Sequence, residues 1–242
     1  MLTIFILITS TLYASVGLGG GSGYLALMGL FNIDPGVMKP TALGLNILVS
    51  SIGTYKYSRA GYFSWKLFWP FAATSVPLAF LGGRLNLDGN IYKGIVGLLL
   101  LFAATRLFVT SRSAENKSVF APPLWAALLS GALIGFIAGI TGIGGAIFLS
   151  PLILLMGWAR PKESAGLTIL FVLVNSVSGL LGHWSYTLTL PPEIGYWGIA
   201  VIIGGWFGAE YGSRKLAGNI TRKILALILF LGGIRIFFSA LG

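Results

Sequence analysis

The stretch Gly17-Leu18-Gly19-Gly20-Gly21-Ser22-Gly23 stands in the middle of an apolar run over 2–31, where a helix would otherwise continue. Each glycine costs a helix about 1 kcal/mol relative to alanine, so a cluster this dense unwinds it. A second cluster, Gly139-Ile140-Thr141-Gly142-Ile143-Gly144-Gly145, interrupts another apolar run at 123–157. The pattern Gly17-x-Gly19-Gly20 recurs as Gly142-x-Gly144-Gly145, 125 residues further on. Two long apolar runs, broken at equivalent places, point to a helical, membrane-embedded and internally duplicated chain.

Further matches keep the same order in both halves. Gly89-Asn90-Ile91 returns as Gly218-Asn219-Ile220 at a spacing of 129, which also pairs Lys93 with Arg222 and Arg106-Leu107-Phe108 with Arg235-Ile236-Phe237. The most polar connection, Ser111-Arg112-Ser113-Ala114-Glu115-Asn116-Lys117, falls near the midpoint. The expected organisation is one integral membrane domain: a first repeat over 1–110, a linker over 111–121 and a second repeat over 122–242. The remaining apolar segments are 37–55, 65–83, 91–109, 164–183, 192–212 and 221–240. Most approach the 20 or so residues that cross a bilayer core.

Composition agrees. Hydrophobic residues make up 56% of the 242, charged residues only 9%, and mean hydropathy is +0.89. A soluble domain carries about 25% charged residues. These figures exclude a soluble enzyme, a disordered tail and a nucleic-acid binder. Sixteen Lys+Arg against six Asp+Glu give +10, which reads as charge at membrane edges. With no cysteine and one histidine, His183, disulfide and thiolate chemistry are excluded and no cofactor is expected. The apolar N-terminus has no basic residue ahead of it, so it reads as a mature start, not a cleaved signal.

The positive charges test the topology. If every segment crosses, including the two broken ones, the basic residues divide 7 to 9 between the two sides. If 2–31 and 123–157 each dip in, break at the glycines and return, twelve fall on one side: Lys56, Arg59, Lys66, Arg106, Arg112, Lys117, Arg160, Lys162, Arg214, Lys215, Arg222 and Lys223. Only Lys39, Arg84, Lys93 and Arg235 remain opposite, a positive-inside asymmetry. The fold expected is therefore all-α and integral to the membrane, with two inverted repeats. Each repeat has a glycine-broken re-entrant hairpin plus three transmembrane helices, and both termini lie outside. Broken helices meeting at the midplane are a transporter plan.

Helices restarting near Ser22 and Ala146 point their N-termini inward, and a helix N-terminus suits an anion. Gly19, Gly20, Gly21, Gly144 and Gly145 let a substrate approach the backbone, and Ser22 and Thr141 add hydroxyls. The bland alternative is that the glycines only allow close helix packing. A second polar set follows each break. Asn46 and Ser50 share a face of one helix, and Thr168 and Asn175 share a face of another. A buried asparagine needs a partner, either another helix or the substrate. Lys39 and Lys162 stand just after each break, as interfacial anchors or as charges that draw anions inward. Arg84, Glu210 and His183 are expected to snorkel or pair at the interface. Trp65, Trp69, Trp158, Trp184 and Trp197 fall at expected membrane edges. The sequons at Asn116 and Asn219 read as chance matches.

Gly135-Phe136-Ile137-Ala138-Gly139-Ile140-Thr141-Gly142-Ile143-Gly144-Gly145, followed by Pro151-Leu152, resembles the signature of the sulfite exporter TauE/SafE family, also called the 4-toluene sulfonate uptake permease family. Gly17-Leu18-Gly19-Gly20-Gly21 matches the same signature, and Ala42-Leu43-Gly44-Leu45-Asn46 resembles the family's Ala-x-Gly-Thr-Ser element. Ala26 in place of a proline, Ala146 in place of a third glycine and Leu45-Asn46 in place of Thr-Ser depart from the pattern. The resemblance implies movement of sulfite, sulfoacetate or related organosulfonates across a prokaryotic inner membrane. The expected partners are that anion and the lipid bilayer, with a homodimer through small-residue faces as a further candidate. A secondary exporter working by alternating access, one repeat rocking against the other, is the leading reading. An anion channel and a non-catalytic membrane assembly factor stand as alternatives. Scattered carboxylates and the lack of a phosphate-binding loop argue against an enzyme and against nucleotide-driven transport.

Overall fold

A computed structural model describes residues 1–109, 119–184, 190–215 and 219–241. The linker residues Ser111–Lys117, with the sequon at Asn116, and Gly218 of the second repeat lie outside the described residues. The fold is all-α and integral to the membrane, with ten helices in the described residues. They are α1 Leu2–Ser15, α2 Gly21–Leu30, α3 Pro35–Arg59, α4 Trp65–Arg84, α5 Gly89–Val109, α6 Leu124–Thr141, α7 Ala146–Met156, α8 Pro161–His183, α9 Ile194–Arg214 and α10 Asn219–Phe238. Among the described residues, Gly89–Phe108, Leu124–Thr141 and Pro161–His183 are long and apolar enough to cross a membrane. Helices α3, α4, α9 and α10 have 20 or more residues, with charges, prolines or glycines diluting their hydropathy.

The two breaks are built alike. Gly17 and Gly19 hold φ of +73°, and their counterparts Gly142 and Gly144 hold +82° and +84°. This left-handed region costs residues with a Cβ about 1–2 kcal/mol each, which is why the breaks are written in glycine. Gly142 ends α6 by donating its N–H to the Ala138 carbonyl, a left-handed cap. The helix after each hairpin starts on a proline, Pro35 or Pro161, with its φ already set for the first turn. Asp34 accepts the Gly36 N–H at the head of α3, and Glu163 accepts the Arg160 N–H at the head of α8.

Glycines spaced by four fasten helices of one half to helices of the other. A Cβ on Gly131, Gly135 or Gly139 of α6 would lie 2.4, 2.4 or 2.1 Å from the carbonyl oxygens of Phe71, Ser75 and Ala79 on α4. Added at Gly204, Gly208 or Gly212 of α9, it would lie 2.5, 2.1 or 2.1 Å from those of Leu7, Thr11 and Ser15 on α1. Both registers advance together, so α4 runs parallel to α6 and α1 parallel to α9. This is the small-residue contact that replaces hydrophobic driving force inside a membrane. Gly208→Leu is expected to cost about 3 kcal/mol or more, because a backbone carbonyl cannot yield to a side chain. Loss of the monodisperse peak on size exclusion in detergent would report it.

Other contacts fix the remaining directions. Leu43 faces Gly179 and Ile169 faces Gly53, so α3 and α8 cross antiparallel. Gly97 meets the Phe237 backbone and Lys93 reaches the Ser239 carbonyl at 3.4 Å, so α5 and α10 are also antiparallel. Ser178 on α8 donates to the Val76 carbonyl and Gly182 faces Phe80, so α8 runs with α4. Leu48 faces Gly198, and Lys56 pairs with Glu210 at 2.6 Å, so α3 runs with α9. Helices α1, α3 and α9 thus point one way and α4, α6 and α8 the other. Because α1 and α3 share a direction, α2 returns toward the end where α1 began. By the same argument α7 returns toward the start of α6.

Two tryptophans depart from the expected edge belt. Trp197 is buried in the main core cluster, and Trp158 is buried against Phe71 with ring centroids 6.0 Å apart. Both sit near helix starts, but on faces turned into the bundle. Trp65, Trp69 and Trp184 are exposed.

Candidate functional site at the two helix breaks

The hairpins reach far across before they turn. Near the end of α3, Tyr57 donates its hydroxyl to the Ser15 carbonyl at 2.9 Å, so α1 climbs almost to the level where α3 and α9 finish. From there the non-helical residues 16–20 lead back toward the centre. Thr168 donates to the Gly17 carbonyl at 2.8 Å, Gly19 lies against Val172, and the Gly20 N–H donates to Asn46 Oδ1 at 3.1 Å.

The second break approaches the same point from the opposite end. Tyr92 donates its hydroxyl to the Thr141 carbonyl at 2.9 Å, and Gly142 lies against the Lys39 backbone. Asn46 Nδ2 donates to the Gly142 carbonyl at 3.4 Å, and Gly144 sits beside Asn46, Val172 and Ser176. One side chain, Asn46, therefore bonds both breaks. The breaks also touch directly: a Cβ on Gly21 would lie 2.7 Å from the Ile143 oxygen and 2.9 Å from the Gly142 oxygen.

From this point α2 and α7 depart. Their first intrahelical bonds are Tyr24 N–H to the Gly20 carbonyl and Phe148 N–H to the Gly145 carbonyl. The N–H groups ahead of these have no partner in their own helix, and each helix end carries about half a positive charge. Two such ends face one buried centre, with no carboxylate in contact with either break in any of the bonds described.

The structure gathers some expected site residues and employs others locally. Gly19, Gly20, Gly21, Gly144 and Asn46 come together. Ser22 donates instead to the Tyr13 hydroxyl at 3.1 Å, and Ser50 to the Asn46 carbonyl one turn back in its own helix. Thr141 donates to the Ile137 carbonyl and accepts the Ile143 N–H, shaping the break from within. Thr168 secures the first break. Asn175 donates to the Phe171 carbonyl at 2.8 Å, leaving its buried Oδ1 without a partner among the described residues. Gly145 packs under Ile134 and Phe171. Ser176, whose buried hydroxyl has no partner among the described residues, stands beside Gly144. Tyr92 and Val172 carry no mark in the sequence, since nothing separates them from other apolar-face residues.

The paired lysines act alike. Lys39 donates to the Gly83 and Leu85 carbonyls at 2.9 and 3.0 Å, capping α4. Lys162 donates to the Arg214 carbonyl at 3.0 Å, capping α9, and to the Tyr62 hydroxyl at 3.1 Å. Glu210 pairs with Lys56 and Arg214.

The profile of the sulfite exporter TauE/SafE family matches residues 2–236. The chain belongs to that family. This TauE/SafE chain is 39% identical to the "Probable membrane transporter protein y4hK" of Sinorhizobium fredii, over 97% of its own length and 96% of the relative's. It is 21% identical to "Probable membrane transporter protein YunE" of Bacillus subtilis over 100% of its length and 98% of that protein's. With the "Probable membrane transporter protein MJ0441" of Methanocaldococcus jannaschii it shares 26% identity over 93% of its length and 86% of the relative's. No solved structure matches it significantly. As a TauE/SafE protein it is a membrane transporter.

Proposed function

We propose that this TauE/SafE protein is a secondary transporter of the prokaryotic inner membrane that exports a small sulfur-containing anion: sulfite, sulfoacetate or a related organosulfonate. The observation that carries the reading is the meeting of two helix N-termini, those of α2 and α7, at Asn46. Donor groups aimed at one buried point suit an oxyanion. The family description supplies the sulfur chemistry.

Alternating access at that point is supported by the helix directions. Equivalent helices α3 and α8 run antiparallel, as do α5 and α10, which is the relation between inverted repeats. The two hairpins approach the centre from opposite ends, and each returns to the end it came from. With that tracing, those of the twelve basic residues that lie among the described residues share one side, which we assign to the cytoplasm.

Vesicles carrying the purified protein and loaded with sulfite or sulfoacetate test this. Saturable efflux that is absent from protein-free vesicles is expected. Vesicles that retain sulfite and every sulfonate tried would end the proposal. Efflux that never saturates and carries current would instead make the protein a channel.

A further inference from the structure

A cavity of about 430 Å³ opens where α3 and α5 begin and α4 and α8 end, at the opposite end of the helices from Lys56, Arg59 and Arg214. Its wall includes Lys39, Asn86, Asp88, Tyr92, Ile140 and His183. Lys39 is only 6% exposed, although it carries a charge. Its two hydrogen bonds go to backbone carbonyls at the end of α4, and it forms no ion pair with Asp88, which is exposed and borders the cavity. An ammonium has three protons, so one remains for a ligand. A cation taken out of water and facing only a helix C-terminus, about half a negative charge, is compensated only in part, and an incoming anion restores the balance.

The cavity also borders the central site. Tyr92, in its wall, holds the Thr141 carbonyl, and Gly142 of the second break lies against the Lys39 backbone. The N-terminal turns of α3 and α5 border it through Gly36 and Gly89.

We propose that this cavity is a second anion-binding station, in which a small sulfur oxyanion or sulfonate sits against the Lys39 ammonium, one step from the break. The proposal rests on the transporter reading above and adds to it a site outside the centre. On the exporting side it is the station from which the anion leaves.

The chain has no cysteine, so Leu87→Cys in the cavity wall gives a single reporter thiol. Its reaction with a neutral methanethiosulfonate is followed in detergent against added sulfoacetate. Protection is expected in the Leu87→Cys protein. Adding Lys39→Gln should raise the half-protecting concentration at least tenfold, by the loss of one close charge pair, while Lys39→Arg stays within threefold. Protection should persist with Gly21→Ala, which fills the central site. Protection unchanged by Lys39→Gln, or lost with Gly21→Ala, overturns the second station while leaving vesicle efflux intact. Absence of both protection and efflux would overturn the transporter reading as well. If Lys39→Gln does not fold, the Leu87→Cys protein decides alone: protection by sulfoacetate and not by neutral dimethyl sulfone supports the station, and equal protection by both overturns it.

Discussion

Gly21→Ala should reduce efflux about a hundredfold while leaving the protein in the membrane. In an ordinary helix the change is favourable by about 1 kcal/mol, since alanine is the better helix former. Here the new methyl would lie 2.3 Å from Asn46 Nδ2 and within 3 Å of the Ile143 and Gly142 oxygens. Those carbonyls belong to the opposite break and cannot swing aside as a side chain can. Overpacking of this kind costs up to about 3 kcal/mol, and a factor of ten in rate corresponds to about 1.4 kcal/mol. Gly44→Ala is the control, because a methyl there meets nothing within 4 Å. It should transport normally and melt at or above the parent temperature. Equal efflux from both variants would show that the meeting of the breaks is not where the anion passes.

Asn46→Leu should cost more stability than any other single polar change at the centre. The substitution strands the Gly20 N–H and the Gly142 carbonyl, both buried, at about 1–3 kcal/mol each. Asn46→Asp separates holding from transport. Its carboxylate still accepts from Gly20 N–H, yet it loses the donor to Gly142 and sets a negative charge where an anion must come. Efflux should fall further for Asn46→Asp than for Asn46→Leu at the same quantity of folded protein, with the melting temperatures in the opposite order. Melting in detergent beside vesicle efflux measures both. A parental melting temperature for Asn46→Leu would remove the clamp from the account.

The breaks were legible because positive φ leaves a residue-type signature, and glycine supplies it at Gly17, Gly19, Gly142 and Gly144. Asn46 was legible as a buried amide in need of a partner. The identity of that partner was not, because it depends on how two distant chain segments approach. Ser22 and Thr141 looked like site residues for their nearness to the breaks, and Ser50 for sharing a helix face with Asn46. Two of them, Ser50 and Thr141, spend their hydroxyls on the carbonyl one turn back, an alternative always open to Ser and Thr in a helix. The reach of the hairpins was foreshadowed only by the 18 residues of α6. Tyr92 could not be singled out: a phenol that secures a break looks, in sequence, like any aromatic on an apolar face.

The glycine seams carry a consequence for how such a molecule can move. Helix α6 is pressed backbone to backbone on α4, α9 on α1, and α5 on α10. Each seam stitches a helix from before the linker to one from after it. No cut separates the front half of the polypeptide from the back half without prising all three apart. On the proposed alternating-access reading, a swing that exposes the centre to either side would divide the helices into mixed teams, α1 with α9 and α4 with α6 and α8, with sliding expected along the α3–α8 crossing. On that reading, the two halves of the sequence and the units that would move are not the same units.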